Sequence, residues 1–257
     1  MNIVVLTNQD SKFGLTILNE LRARGVRVHA AVLLAQPLSY DLQLFKWVRK
    51  RVGLWQAIYF GVRRVLHGFA ERREIRSRPG FETRFERLAE RVVRTRGTNS
   101  SETIEALRTL SPDVVVIGQT GIIRKKLLGI PRFGVLNGHP GILPDYRGID
   151  SATWALVGNA PDKIGFTVHW VDAGVDTGPI VRRRFVSPAE IGDVDVLAID
   201  DKLFDIASTE LADVVSQMDA ENPPAGDQQS IDKGRQYYKM RLRDERKARR
   251  ILRALLR

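Results

Sequence analysis

The chain has 257 residues, 43% of them hydrophobic and 28% charged, a globular balance whose length allows one large domain, or one domain with an appendage. It contains no cysteine, which excludes disulfides, thiolate metal sites, iron–sulfur clusters and a cysteine nucleophile. A net charge of +11, from 41 Lys and Arg against 30 Asp and Glu, favours an acidic partner: nucleic acid, anionic lipid or a phosphorylated substrate.

The charge is unevenly spread. Residues 46–78 hold ten Lys and Arg against Glu71 and Glu74, and residues 233–257 hold eleven against Asp244 and Glu245. Two basic segments thus decorate a body that is otherwise mildly acidic. The four histidines, His29, His67, His139 and His169, lack zinc-site spacing, so no metal is expected. The start, Met1-Asn2-Ile3-Val4-Val5-Leu6, has no basic leader and reads as a strand, which predicts a cytoplasmic protein.

In chain order, residues 2–6 form a short apolar run expected to be a buried strand. Leu15, Ile17, Leu18 and Leu21 follow at helical spacing, and Val26 to Leu34 is a second strand. Strand, helix and strand in this order mark a βαβ unit, hence a parallel sheet with right-handed crossovers. Leu42, Phe45, Val48 and Val52, then Leu54, Ile58, Val62 and Val65, recur at helical spacing, predicting an inserted helical hairpin over 39–68 broken near Gly53. Residues 81–93 and 102–110 are expected to be helices returning to the sheet.

Val114 to Ile117 and Gly134 to Asn137 read as further buried strands, and 164–170 with 180–186 as an antiparallel pair. The segment from Asp195 to Met218 reads as a long closing helix, stopped before Asn222-Pro223-Pro224. The expected organisation is a mostly parallel α/β catalytic unit over 1–220 and a basic helical tail over 221–257, its terminal helix solvated.

After the first strand comes Thr7-Asn8-Gln9-Asp10-Ser11-Lys12-Phe13-Gly14. It lacks the glycine patterns that let backbone N–H groups close on a nucleotide phosphate, which argues against dehydrogenase and Walker-type readings. The stronger signal is Asn137-Gly138-His139-Pro140-Gly141-Ile142-Leu143-Pro144-Asp145-Tyr146-Arg147-Gly148, where a strand ends in a Gly/Pro-rich loop. A second turn-rich loop, Asp172-Ala173-Gly174-Val175-Asp176-Thr177-Gly178, joins two strands. Taken singly, Asn137 is explained as a strand-end cap, His139 as a turn histidine and Asp176 as a turn former. Together at one sheet edge they supply an amide for a developing oxyanion, an imidazole to move protons and a carboxylate to orient it, the set that acyl transfer to an amine requires.

These two segments resemble the folate-dependent formyltransferases, a family that includes methionyl-tRNA, glycinamide ribonucleotide and sugar N-formyltransferases. The resemblance covers residues 100–187 well and the first 35 loosely. It implies a Rossmann-like formyltransferase fold and the co-substrate 10-formyltetrahydrofolate. By position it implies that Asn137 stabilises the tetrahedral intermediate, that His139 transfers a proton or acts as a cation, and that Asp176 orients His139 or a water. It further implies a pterin pocket lined by Gly118, Gln119, Thr120, Gly121, Ile122, Ile123 and Leu127, with Asp172, Ala173, Gly174 and Val175 as the facing wall. Pro144, Tyr146 and Arg147 are expected either to touch the acceptor or to brace its loop. His29, His67 and His169 are assigned to structure.

The acceptor expected is a small anionic primary amine, first an amino sugar carried on a nucleotide. The tail is too short for the further C-terminal domain usual in methionyl-tRNA formyltransferases, and Thr7 to Gly14 departs from the phosphate loop of the glycinamide ribonucleotide enzymes. Phe45, Trp47, Trp55, Tyr59 and Phe60 among arginines have the composition of an interfacial helix, so a membrane-surface role is a second reading. RNA binding through the arginine-rich tail is a third, with nucleic acid the less favoured partner. A homodimer is an open expectation.

Overall fold

The computed structural model describes residues 1–35, 45–46, 48–50, 53–62, 66, 77, 79–192 and 198–257. Seven strands form one sheet: β1 (Ile3–Asn8), β2 (Val28–Leu34), β3 (Val92–Thr95), β4 (Val114–Gly118), β5 (Gly134–His139), β7 (Gly165–Trp170) and β8 (Ile180–Phe185), in the order β3-β2-β1-β4-β5-β7-β8. The first five run parallel, while β7 is antiparallel to both β5 and β8. A short parallel pair, β6 (Tyr146–Gly148) with β9 (Arg235–Tyr237), lies outside it.

Period-two alternation places Ile3, Val5, Val114 and Val116 on one sheet face, and Val4, Leu6, Val115 and Ile117 on the other. Helices α1 (Lys12–Ala23) and α6 (Ile199–Ser216) cover the first face with Ile17, Leu18, Leu21, Leu203 and Leu211. The second face is covered by α2 (Ser101–Leu110) and α3 (Lys125–Leu128), through Leu107, Leu110 and Leu127. Both faces being covered, β1 and β4 read as unbroken apolar runs. The remaining helices are α4 (Ser151–Val157), α5 (Pro188–Ile191) and α7 (Leu242–Leu255). Among the described residues no helix is long and apolar enough to cross a membrane.

Three expectations need correction or bounding. The helix expected over 81–93 is a single 3-10 turn at Phe85–Arg87 followed by β3, because Val92 and Val93 join β2 at the sheet edge. The hairpin expected over 39–68 falls largely outside the described residues. Those that are described there, 45–46, 48–50, 54–62 and 66, are helical, and Gly53 interrupts them at φ 93°. The basic C-terminal segment is not a solvated helix: α7 packs on α4 and buries Glu245, Ala248 and Leu252, while β9 pairs with β6.

Candidate active site

The strand order reverses between β1 and β4, and ligands of open α/β sheets bind beyond the carboxyl ends of strands at such a switch. The segment where a phosphate loop would lie is filled by its own side chains. Ser11 caps α1 by accepting from the Gly14 N–H at 3.1 Å and donates to Gln119 Oε1 at 2.9 Å, and Thr7 Oγ1 donates to the Gly118 carbonyl at 2.8 Å.

The turn after β4, from Gly118 to Ile123, is clamped from the side. Asn99 Nδ2 donates to the Ile122 carbonyl at 2.8 Å, Asn99 Oδ1 accepts from the Arg124 N–H at 2.8 Å, and Thr98 Oγ1 donates to the Thr120 carbonyl. Gln119 and Gly121 both have positive φ. Of the expected pterin-pocket residues, Gln119, Gly121 and Ile122 are exposed, Ile122 at 72%. Ile123 and Leu127 are buried in the core cluster beneath the turn.

Strand β5 is paired on both sides, so its end is rigid: Asn137 lies opposite Ile117 of β4 and His169 of β7. Directly opposed residues project to the same face, and Asn137 Nδ2 lies 3.1 Å from His169 Nε2. Asp176 faces both imidazoles, with Oδ2 3.6 Å from His139 Nδ1 and Oδ1 3.7 Å from His169 Nε2. These separations are close polar contacts that exceed hydrogen-bond length. The three residues singled out in the sequence therefore converge, with His169 as the fourth member.

The tautomers follow from the partners. His169 Nδ1 lies 2.8 Å from the Trp170 carbonyl and must donate to it, so Nε2 is the acceptor for the Asn137 amide. Burial pushes the His169 pKa down against the opposing pull of Asp176, which keeps the ring neutral. His139 Nε2 lies 2.9 Å from the Tyr146 carbonyl and likewise donates, so Nδ1 is turned to Asp176. Asp176, at φ 53°, is fixed by the Gly148 N–H, which donates to Oδ2 at 2.9 Å, and by Gln229, whose Nε2 donates to the Asp176 carbonyl at 3.1 Å. Of the five non-glycine residues with positive φ among the described residues, three, Gln119, Asp150 and Asp176, lie on these loops, where such strain concentrates when surroundings enforce it. Within the second loop, Asp172 Oδ1 accepts from the Gly174 N–H at 3.0 Å and from Thr177 Oγ1 at 2.6 Å, which fixes the 172–177 turn.

The loop that carries the site is braced by the C-terminal segment. Tyr146 is buried and stacked on Tyr237 at 5.2 Å, so its ring braces the loop, while Arg147 beside it is half-buried. Gly148 has φ 98° and an added Cβ would meet the Tyr237 carbonyl at 2.2 Å, so only glycine lets β9 approach. Trp154 Nε1 donates to the Tyr238 carbonyl at 2.8 Å, while Asp150 accepts from Lys239 Nζ at 2.8 Å and from the Met240 N–H at 2.9 Å. Among the described residues, Arg147 Nε is buried and has no hydrogen-bond partner.

Sequence reasoning missed His169, Asn99 and the brace from 235–240. A signal for His169 was present: Phe166, Val168 and Trp170 share one face of β7, which puts Thr167 and His169 on the other. No signal marked the brace, since β6 and β9 are far apart in sequence.

The model of the formyl transferase family (Formyl_trans_N) matches residues 68–203. The methionyl-tRNA formyltransferase of Caldanaerobacter subterraneus subsp. tengcongensis is 31% identical over 121 residues, 47% of this chain and 38% of that protein. That of Geobacter metallireducens is 36% identical over 114 residues, 44% and 35% respectively. The chain thus spans well under half the length of these curated relatives. Among solved structures, a sugar N-formyltransferase from Shewanella sp FDAARGOS_354 superposes with a TM-score of 0.56 at 15% identity, over 98% of this chain and 87% of that one. Glycinamide ribonucleotide transformylase 1 from Symbiobacterium toebii gives 0.53 at 19% identity, over 88% and 94%. With the family model covering more than half of its residues, the chain belongs to the formyl transferase family.

Proposed function

We propose that this protein transfers a formyl group from 10-formyltetrahydrofolate to a primary amine on a small anionic acceptor. The observation that carries the reading is the contact chain Asn137–His169–Asp176–His139 at the end of β5. The amine nitrogen attacks the formyl carbon, the carbonyl oxygen takes up charge, and the bond from that carbon to N10 then breaks. One Nδ2 hydrogen of Asn137 is committed to His169, and the second is available to the developing oxyanion. Neutral His169 holds the amide in that orientation without competing for the charge. The proton released by the amine passes to the Asp176–His139 pair and then to the departing N10, giving a formamide and tetrahydrofolate. Gly118 to Ile123 forms one wall for the pterin, with Asp172 to Val175 opposite.

For the acceptor, the reading is an amino sugar carried on a nucleotide. The buried, unpartnered Arg147 Nε supports an anionic group at the acceptor loop, as does the charge of +11. The superposition over 98% of the chain on a structure described as a sugar N-formyltransferase agrees with it. The test is a screen of nucleotide-linked amino sugars, glycinamide ribonucleotide and methionyl-tRNA with 10-formyltetrahydrofolate, read as tetrahydrofolate released. Turnover confined to nucleotide-linked amino sugars is expected. Preference for either other acceptor would refute the substrate assignment and leave the transfer reading standing.

A further inference from the structure

Residues 54–62 form a helix whose exposure is inverted. Ala57 is buried, whereas Leu54, Trp55, Ile58, Tyr59 and Val62 are exposed, Trp55 at 82%. At about 100° per residue these five side chains fall within an arc of about 140°, and Ala57 and Phe60 point the opposite way. Leu66, four residues beyond Val62 in the sequence, is also exposed. The inner side of the helix is accounted for by Ala57 and by Phe60, whose ring centre lies 5.4 Å from Lys239 Nζ. A surface helix ordinarily turns its apolar stripe to the core. Here the stripe faces outward, and a contiguous apolar patch of this kind marks an interaction site.

Charge decides what covers it. A second copy would bring together two surfaces of one strongly basic chain, whereas an anionic bilayer complements them. Arg49 and Lys50 are exposed just ahead of the stripe, and residues 46–78 carry ten basic side chains against two acidic ones. The Lys239–Phe60 contact also brings the start of α7 beside this helix. Opposite its buried Glu245, Ala248 and Leu252, α7 exposes Arg243, Arg246, Lys247, Arg250 and Arg253. An aromatic apolar stripe preceded by cations is the arrangement of a helix lying in a membrane interface, where basic residues near an anionic surface strengthen the attachment.

We propose that the outer face of helix 54–62 docks the protein on an anionic lipid surface, with Leu54, Trp55, Ile58, Tyr59 and Val62 set among the headgroups. The proposal does not depend on the formyl-transfer reading. The experiment is co-sedimentation of the full chain with vesicles of phosphatidylcholine alone and of two parts phosphatidylcholine to one part phosphatidylglycerol. Wild-type protein is expected to pellet with the anionic vesicles and much less with the neutral ones. The double variant W55E/I58E, at two exposed positions, is expected to lower the partition coefficient about tenfold or more, with unchanged circular dichroism and unfolding temperature. Absence of wild-type binding, or equal binding by the double variant, would overturn the proposal. So would a wild-type dimer in sedimentation equilibrium that W55E/I58E dissociates, since a second copy would then cover the face.

Discussion

Gly141 is packed directly against the His139 ring. A Cβ built there lies 2.8 Å from His139 Nε2, 2.8 Å from the Tyr146 carbonyl oxygen and 2.6 Å from the Ser151 Cβ. The first two atoms are the partners of the 2.9 Å hydrogen bond that fixes the His139 ring, so Gly141→Ala wedges a methyl group against both. Overpacking costs about 1–3 kcal/mol, and the lost buried hydrogen bond costs about 1 kcal/mol more. At roughly 2–4 °C per kcal/mol for a chain of this size, the unfolding temperature should fall by about 5–15 °C. Gly129→Ala is the control, because its Cβ would meet nothing nearer than the Lys125 carbonyl at 3.8 Å. Calorimetry gives the stability, and the protected His139 Nε2–H resonance in the proton NMR spectrum reports the hydrogen bond directly. That resonance should vanish in Gly141→Ala and persist in Gly129→Ala. A Gly141→Ala protein that melts with wild type and keeps the resonance would refute the loop geometry on which His139's role rests.

Asn137→Ala and His139→Ala should each lower kcat by roughly 10²–10³ with folding intact, the scale of a lost oxyanion donor or proton carrier; near-normal turnover in either contradicts the assigned roles. Because burial lowers the His169 pKa, the unfolded chain binds more protons below its own histidine pKa, and stability falls as pH falls through about 6.5. His169→Gln should therefore lose less stability between pH 7 and pH 5 than wild type, measured by thermal melts at both pH values; an equal loss would show that this ring does not carry the effect. Asp200 is pushed up to about 8, by burial first and then by Asp150, and its Oδ1 has no hydrogen-bond partner among the described residues. It is protonated in the folded state and ionised in the unfolded state across neutral pH, so its cost appears as pH rises past the ordinary carboxylate value. Asp200→Asn should raise stability by about 1–3 kcal/mol at pH 7 and by little near pH 3, and destabilisation at pH 7 would contradict this.

The parts legible from sequence were those fixed by local pattern. The β-branched runs at 3–6 and 114–117 announced buried parallel strands, and the loops after Asn137 and around Asp176 announced residues that converge as a candidate site, because each loop is marked within a dozen residues. Strand β3 was obscured because its two valines follow a stretch with helical spacing, and only the free edge of β2 decides between the readings. His169 was passed over because a lone histidine in a strand is usually packed in the core. Its contact with Asn137 appears only when β7 is set antiparallel to β5. The brace from Arg235 to Met240 was hidden by composition. Arginine-rich sequence reads as solvated, yet Tyr237, Lys239 and the Met240 backbone reach back to Tyr146 and Asp150.

The central claim is that the formyl carbon sits between the Asn137 amide and the Asp176–His139 pair. A crystal structure of the protein soaked with 10-formylfolate, a stable formyl donor mimic, tests this most directly. The account predicts the pterin between Gly118–Ile123 and Asp172–Val175, and the formyl oxygen within about 3.2 Å of Asn137 Nδ2. A ligand bound with its formyl group out of reach of both Asn137 and His139, or no bound ligand at saturating concentration, would contradict it.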